Sequence, residues 1–297
     1  MGPAFRLPPL REPVRLIGAR TFDFSRQIAV MAIINRTPDS FFDEGATFAL
    51  DRAVEAAVQA ARDGADWVDI GGVPFAPGPE LSGRDELERV IPVIEGLVAE
   101  SDVVVSVDTF RPEVAEAAIA AGAGVINDTT GIHDPRLADV VADSDATLVI
   151  THSLAAPRQV YPRPQYDDVA GEIASFLQSR VDFAVSRGIP ENRIIVDPGH
   201  DLNKNTFQTL ELTRRLFEIT ALGLPTLAAV SNKDFIGESL GREKPERLPG
   251  SLAAATVSVM LGARIVRMHN VRESVDAMRM VEAIMGWREP VYAVHNL

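Results

Sequence analysis

No cysteine occurs in the 297 residues of this chain, so disulfides, thiolate nucleophiles and thiolate-held zinc or iron–sulfur clusters are excluded. Positive charge is in short supply: 29 Lys and Arg stand against 42 Asp and Glu, a formal net charge of −13. A surface this acidic repels phosphate backbones and anionic lipid, so neither nucleic acid nor membrane is an expected partner. The longest run made only of apolar residues and glycine, Ala117 to Ile126, falls far short of the roughly 18 residues that span a bilayer. Residues 1–15 hold prolines and arginines but no apolar h-region, so they read as an exposed leader and not as a secretory signal. A cytoplasmic setting is compatible with all of this. Short signatures are missing too: there is no GxxxxGK[ST], GxSxG, HExxH or post-strand GxGxxG. His133, His200 and His295 have no neighbour at metal-ligand spacing and are assigned to surface or packing.

What the chain has is apolar material, 46% of residues, arranged with a period. Val- and Ile-rich runs begin near Ile28, Trp67, Val103, Val125, Thr147, Arg193, Pro225 and Arg264, each followed by a longer Ala-rich stretch with helical spacing. Eight βα units at about 34 residues each predict a single closed (β/α)8 TIM barrel over 28–287. Residues 1–27 form a leader with a possible barrel-closing hairpin centred on Gly18, and 288–297 form a tail. The pieces Ala156–Gln165 and Gly241–Gly250 read as long βα loops, which at the rim of a barrel often act as lids.

Polar residues gather where the runs end: Asn35, Asp69, Asp108, Asn127, His152, Asp197, Ser231, Arg267 and His269. In a closed barrel these ends open onto one face, so the site is read from them. Asp108, Asn127 and Asp197 can donate to and accept from the edge of a flat nitrogen heterocycle. Lys233, Arg267 and His269, on the last two strands, suit an anionic ligand tail. On residue types alone, strand-end capping explains these positions as well as binding does.

The order of several segments resembles dihydropteroate synthase, from about Ile28 to Trp287. NRTPDSFFDEG at Asn35 is similar to the family's first loop, N-x-T-P-D-S-F-x-D-x-G. DIGG at Asp69, SVDTFRPEVAEAA at Ser106, VIND at Val125, DPG at Asp197, SNKDFIG at Ser231 and RMHNVRESVDA at Arg267 follow in the family's order. The resemblance implies a barrel that joins 6-hydroxymethyl-7,8-dihydropterin pyrophosphate to p-aminobenzoate with magnesium assistance, in folate biosynthesis. It implies pterin binding by Asp108, Asn127, Asp197 and Lys233. It also implies pyrophosphate binding by Asn35, Arg267 and His269, Mg2+ at Asn35, and a homodimer through helices distant from the pocket. An active enzyme of this kind would use Asn35, Asp108, Lys233, Arg267 and His269.

The departures fall on one side. The family's second loop, G-E-S-T-R-P-G, is here Gly72-Val73-Pro74-Phe75-Ala76-Pro77-Gly78, without the acid, both hydroxyls and the arginine. The first loop carries Arg36, Phe42 and Glu44. After Asp197-Pro198-Gly199 the family's apolar–Gly–Phe–small–Lys becomes His200-Asp201-Leu202-Asn203-Lys204, the strand-seven Ser-Arg-Lys becomes Ser231-Asn232-Lys233, and Met-His-Met becomes Thr151-His152-Ser153. The altered p-aminobenzoate region therefore comprises Val73, Pro74, Phe75, Ala76, Leu202, Ser231 and Asn232. Two readings follow. In one, synthase activity is lost or very weak, pterin or pyrophosphate binding persists, and sulfonamides or sulfones bind weakly. In the other, an active synthase uses Arg36 in place of the loop arginine.

Overall fold

The computed structural model describes residues 7–35, 46–73, 78, 81–156, 159, 161 and 163–295, with backbone alone for 46–49. The chain runs β1 (Val14–Ile17), β2 (Arg20–Asp23), β3 (Ala29–Asn35), α1 (Ala46–Arg62), β4 (Trp67–Gly71), α2 (Gly83–Glu100), β5 (Val104–Asp108) and α3 (Pro112–Ala120). It continues through β6 (Val125–Asp128), α4 (Arg136–Ala142), β7 (Thr147–Thr151), α5 (Val169–Ser186), β8 (Ile194–Asp197), α6 (Thr206–Arg214) and α7 (Leu216–Thr220). The last elements are β9 (Leu227–Ala228), α8 (Asp234–Leu240), α9 (Leu248–Met260), β10 (Ile265–Met268) and α10 (Val271–Ile284).

Strands β3 to β10 pair in parallel in the order β8-β7-β6-β5-β4-β3-β10-β9. A parallel bridge between Val196 and Thr226 joins the two ends, so the sheet closes into a (β/α)8 barrel. Alternation along a strand sends successive side chains to opposite faces. In β3, Ala29 and Met31 pack inside the barrel while Val30 and Ala32 face the helices.

The barrel floor is filled by the hairpin β1–β2, whose turn uses Gly18 at φ 57°. Phe22 and Phe24 stack at 5.8 Å, and Phe22 meets Trp67 edge-on at 5.7 Å. Together with Ile17 they join the buried residues at the strand starts. With the floor closed by apolar side chains, a cleft can form at the opposite rim.

One segment differs from its reading as a loop. Within Gly241–Gly250, residues 248–250 form the first turn of α9, where Pro249 is tolerated because no helical N–H is needed there. The capping α8 precedes it as an extra helix at the rim. Among the described residues no helix is long and apolar enough to cross a membrane.

Candidate functional site

At the C-terminal ends of the strands lies a cavity of about 1040 Å³. Its wall brings together Asn35, Val73, Asp108, Leu202, Ser231, Asn232, Lys233, Arg267 and His269, residues drawn from six different strand ends. The register explains part of this: Asn35 lies opposite Gly71, Gly71 opposite Asp108 and Asp108 opposite Asn127, so four strands end in one row. A side chain at Gly71 would come within 3.3 Å of Asn35 Oδ1, so glycine there leaves the row open. Asn127 and Asp197 do not line the cavity surface; they are buried beneath it.

The floor of the cleft is organised by a residue that strand-end reading noted without giving it a role. Asp69 is fully buried. Its Oδ1 accepts from Ser106 Oγ at 2.6 Å, and its Oδ2 accepts from Asn127 Nδ2 at 3.0 Å and from Arg267 Nε at 2.6 Å. Arg267 also donates through Nη2 to Asp108 Oδ2 at 3.2 Å. The guanidinium is thus clamped between two carboxylates, and part of its charge is already answered within the protein. Asn127 Oδ1 is buried with no hydrogen-bond partner among the described residues. Burial pushes the Asp108 carboxyl up against the opposing pull of Arg267. Asp197, buried and held by the Gly199 N–H at 2.7 Å, is pushed up to about 6 by desolvation.

The second wall is the loop that follows β8. Gly199, Asp201 and Asn203 all have positive φ, at 68°, 63° and 52°. Asp and Asn are the side chains most tolerant of that conformation, so the winding path survives where the family pattern has small residues. Lys204 braces the loop from inside, donating to the carbonyls of Gly199 and Leu202, both at 2.9 Å, and standing 3.0 Å from His152 Nδ1. Burial pushes the Lys204 ammonium down to about 7, and burial together with Lys204 pushes His152 down to about 2. The imidazole is therefore neutral and serves as an acceptor.

Asn203 ties this loop to the one after β7. Its Oδ1 accepts from Ser153 Oγ at 3.0 Å, Leu154 N at 2.8 Å and Ala155 N at 3.1 Å. Ser153 and Asn203 are both departures from the family pattern, and they contact each other. Asn203→Ala removes three acceptor contacts and leaves alanine in a left-handed conformation, a cost of about 2 to 3 kcal/mol. The expected result is a Tm lower by about 5 °C, with a smaller drop for Asn203→Gly, checked by thermal unfolding.

The third wall follows β9. Ser231 Oγ accepts from His269 N at 3.1 Å and lies 2.9 Å from His269 Nδ1, so the two predicted residues form one contact. Desolvation and the neighbouring cations Arg267 and Lys233 hold His269 below the ordinary imidazole range. Asn232 adopts φ 57°, its N–H bonded to Ser251 Oγ at 3.0 Å and its carbonyl accepting from Arg247 Nη1 at 2.9 Å. Arg247 also donates to the Lys233 carbonyl at 3.2 Å and to Asp234 Oδ1 at 3.0 Å, which fixes the turn that presents Lys233. Asp69, Asp201, Lys204 and Arg247 were all missed as site residues. Lys204 keeps the lysine of the family pattern with no role attached to it and Arg247 carries no local motif; only the fold sets Lys204 inside the loop after β8 and Arg247 behind Lys233.

Pro74, Phe75 and Ala76, like Arg36, Phe42 and Glu44, lie outside the described residues. Among the described residues no group of three His, Asp or Glu is placed to hold a metal ion.

Residues 31–269 match the family described as pterin binding enzymes. The chain is 42% identical over 274 residues to the inactive dihydropteroate synthase 2 of Mycobacterium tuberculosis, covering 90% of this chain and 86% of that one. It is 38% identical over 261 residues to the dihydropteroate synthase of Escherichia coli, covering 88% and 93%. The structure of Xanthomonas albilineans dihydropteroate synthase with 4-aminobenzoic acid superposes with a TM-score of 0.85 at 40% identity, covering 92% of this chain and 98% of that one.

Proposed function

The chain belongs to the pterin-binding dihydropteroate synthase family, and from that premise we propose that it binds a reduced pterin in the inner cleft and forms dihydropteroate very slowly or not at all. The observation that carries the first half is the buried Asn127 Oδ1, which has no partner among the described residues, on the strand beside Asp108 and in an amide bonded through Nδ2 to Asp69. An aminopyrimidine edge offers N–H groups in a plane, and an amide oxygen flanked by buried carboxyl groups is the matching acceptor set. Lys233, on the opposite wall, complements a ring carbonyl.

The second half rests on the outer cleft. The loop that reads GVPFAPG offers no arginine or hydroxyl, Asn232 is neutral, and Leu202 stands where the family has a phenyl ring. Arg267 is held by Asp69 and Asp108. Charge-assisted hydrogen bonds that strengthen as diphosphate leaves are worth about 1.5–3 kcal/mol each, or roughly 10- to 150-fold in rate. Losing two or more predicts dihydropteroate formation at least about a hundredfold below the 1–1000 per second typical of enzymes. The test is a coupled measurement: titration of 6-hydroxymethyl-7,8-dihydropterin pyrophosphate with magnesium, and a turnover assay with p-aminobenzoate. Binding without turnover is expected; turnover at ordinary rates overturns the reading. Sulfonamides are expected to bind weakly for the same reason.

Magnesium fits this site as an ion held mainly by diphosphate oxygens and water, with Asn35 Oδ1 as the oxygen ligand from the protein. It would supply charge neutralisation for the leaving group. The reading extends to a homodimer and a cytoplasmic setting. The intact inner set favours a second reading, an active synthase in which Arg36 supplies the missing cation; that reading requires Arg36→Ala to abolish turnover.

A further inference from the structure

Asp201 occupies a position where the family pattern has glycine, and it keeps the glycine-like backbone at φ 63°. The exchange therefore adds a carboxylate to the cleft without rerouting the chain. That carboxylate lines the cavity and is pinned there, its Oδ2 accepting from the Phe235 N–H at 3.2 Å. Its charge acts on both ammonium groups of this wall, the half-buried Lys233 and the buried Lys204, and it is the acid that acts most strongly on Lys233.

The other cations nearby are committed as well. Arg267 is paired with Asp69 and Asp108, and Arg247 with Asp234. Where the family has an arginine before the cleft lysine, this chain has Asn232. Lys244 lines the outer rim but is exposed, where solvent screens its charge. A ligand carboxylate entering beside Leu202 and Asn203 would thus meet a fixed negative charge, and among the described residues the cations of this wall are already answered by Asp201 itself or by Asp69, Asp108 and Asp234. Like charges brought together at a partly desolvated site are an effective means of rejecting a ligand.

We infer that Asp201 sets the charge selectivity of the outer cleft, so that its second ligand is an uncharged or cationic amine and not an aminobenzoate-type carboxylate. This rests on the cleft being a pterin site with an adjoining amine site, and it names the class of molecule the second site takes.

The test compares two near-isosteric probes, 4-aminobenzoate and 4-aminobenzamide, titrated calorimetrically against the full chain and against Asp201→Asn. Asparagine tolerates the left-handed backbone and retains an oxygen for the Phe235 N–H, so the variant changes charge and little else. The wild type is expected to bind the amide at least about tenfold more tightly than the acid. In Asp201→Asn the acid is expected to gain about tenfold, with the amide changed less than about twofold. Asp201→Gly, which also fits φ 63°, is expected to move the ratio in the same direction. A wild-type preference for the acid, a ratio unchanged in both variants, or no binding of either probe overturns the inference. A parallel titration with the pterin pyrophosphate separates the two claims: pterin binding with a flat acid-to-amide ratio counts against Asp201 alone, whereas absence of pterin binding counts against the reading of the cleft.

Discussion

Replacing Asp69 by asparagine is expected to lower the Tm by about 6 to 12 °C and to weaken pterin binding by at least about a hundredfold. The carboxylate is fully buried and accepts from Ser106, Asn127 and Arg267 at once. Removing one partner of a buried charge pair costs about 3–5 kcal/mol, because the remaining charge keeps its desolvation penalty and loses its compensation. Asparagine cannot accept from all three donors, since one of its two terminal atoms is itself a donor. Arg267 is then left with Asp108 alone, and Asn127 loses the contact that holds its amide in place. Both effects strike the inner site, so stability and pterin affinity fall together. Ser106→Ala serves as the comparison, since it removes a single hydrogen bond on the far oxygen and is expected to cost about 1 kcal/mol with little change in affinity. Pterin affinity within about threefold of wild type in Asp69→Asn would show that the cradle does not depend on this hub.

Asp69 also illustrates what the sequence tells and where it stops. The eight β-rich runs and their spacing lead to the closed barrel, because strands buried on both faces must be apolar and their ends must be polar. All eight predicted runs contain a barrel strand. The convergence of Asn35, Asp108, Lys233, Arg267 and His269 on one cavity follows from closure alone. Their division of labour does not follow, because it depends on side-chain directions that no local pattern encodes. Arg267 reads in sequence as a cation aimed at diphosphate, but its reach to Asp69 and Asp108 becomes visible only when β4, β5 and β10 are placed around the ring. Lys204 is similar: in sequence it is one of three lysines, with no role attached to it, and in the fold it is a buried brace. The loop after β8 was legible in a subtler way. Asp201 and Asn203 stand where small residues belong in the family pattern, and they are the side chains that can follow a left-handed path, so the backbone was preserved while its chemistry changed.

His200→Leu is expected to make the protein markedly less sensitive to acid. The imidazole is fully buried against Phe235, with ring centroids 6.4 Å apart, and neither ring nitrogen has a hydrogen-bond partner among the described residues. Burial, reinforced by Lys204 and Lys233, pushes it down to about 3 from an ordinary 6.5. A depressed folded-state pKa means the unfolded chain takes up the proton first. The contribution of His200 to stability is therefore complete above pH 6.5 and is lost progressively as pH falls toward 3. Between pH 7.5 and 4.5 that loss is about 3 kcal/mol, or about 6 °C in Tm. Asp197 works in the opposite sense, since its raised pKa of about 6 favours the folded state as pH falls through the same window, and His152 works in the same sense as His200. Both are present in wild type and variant alike, so they cancel in the difference. The measurement is the Tm of the two proteins from pH 7.5 to pH 4.5. The variant should start slightly higher at neutral pH, where two unpartnered polar atoms have been removed, and its lead should widen by about 6 °C on acidification. A lead that stays constant across the range would mean that the folded protein accommodates the imidazolium, and that the apolar wall around His200 and Phe235 opens far more readily than its burial implies.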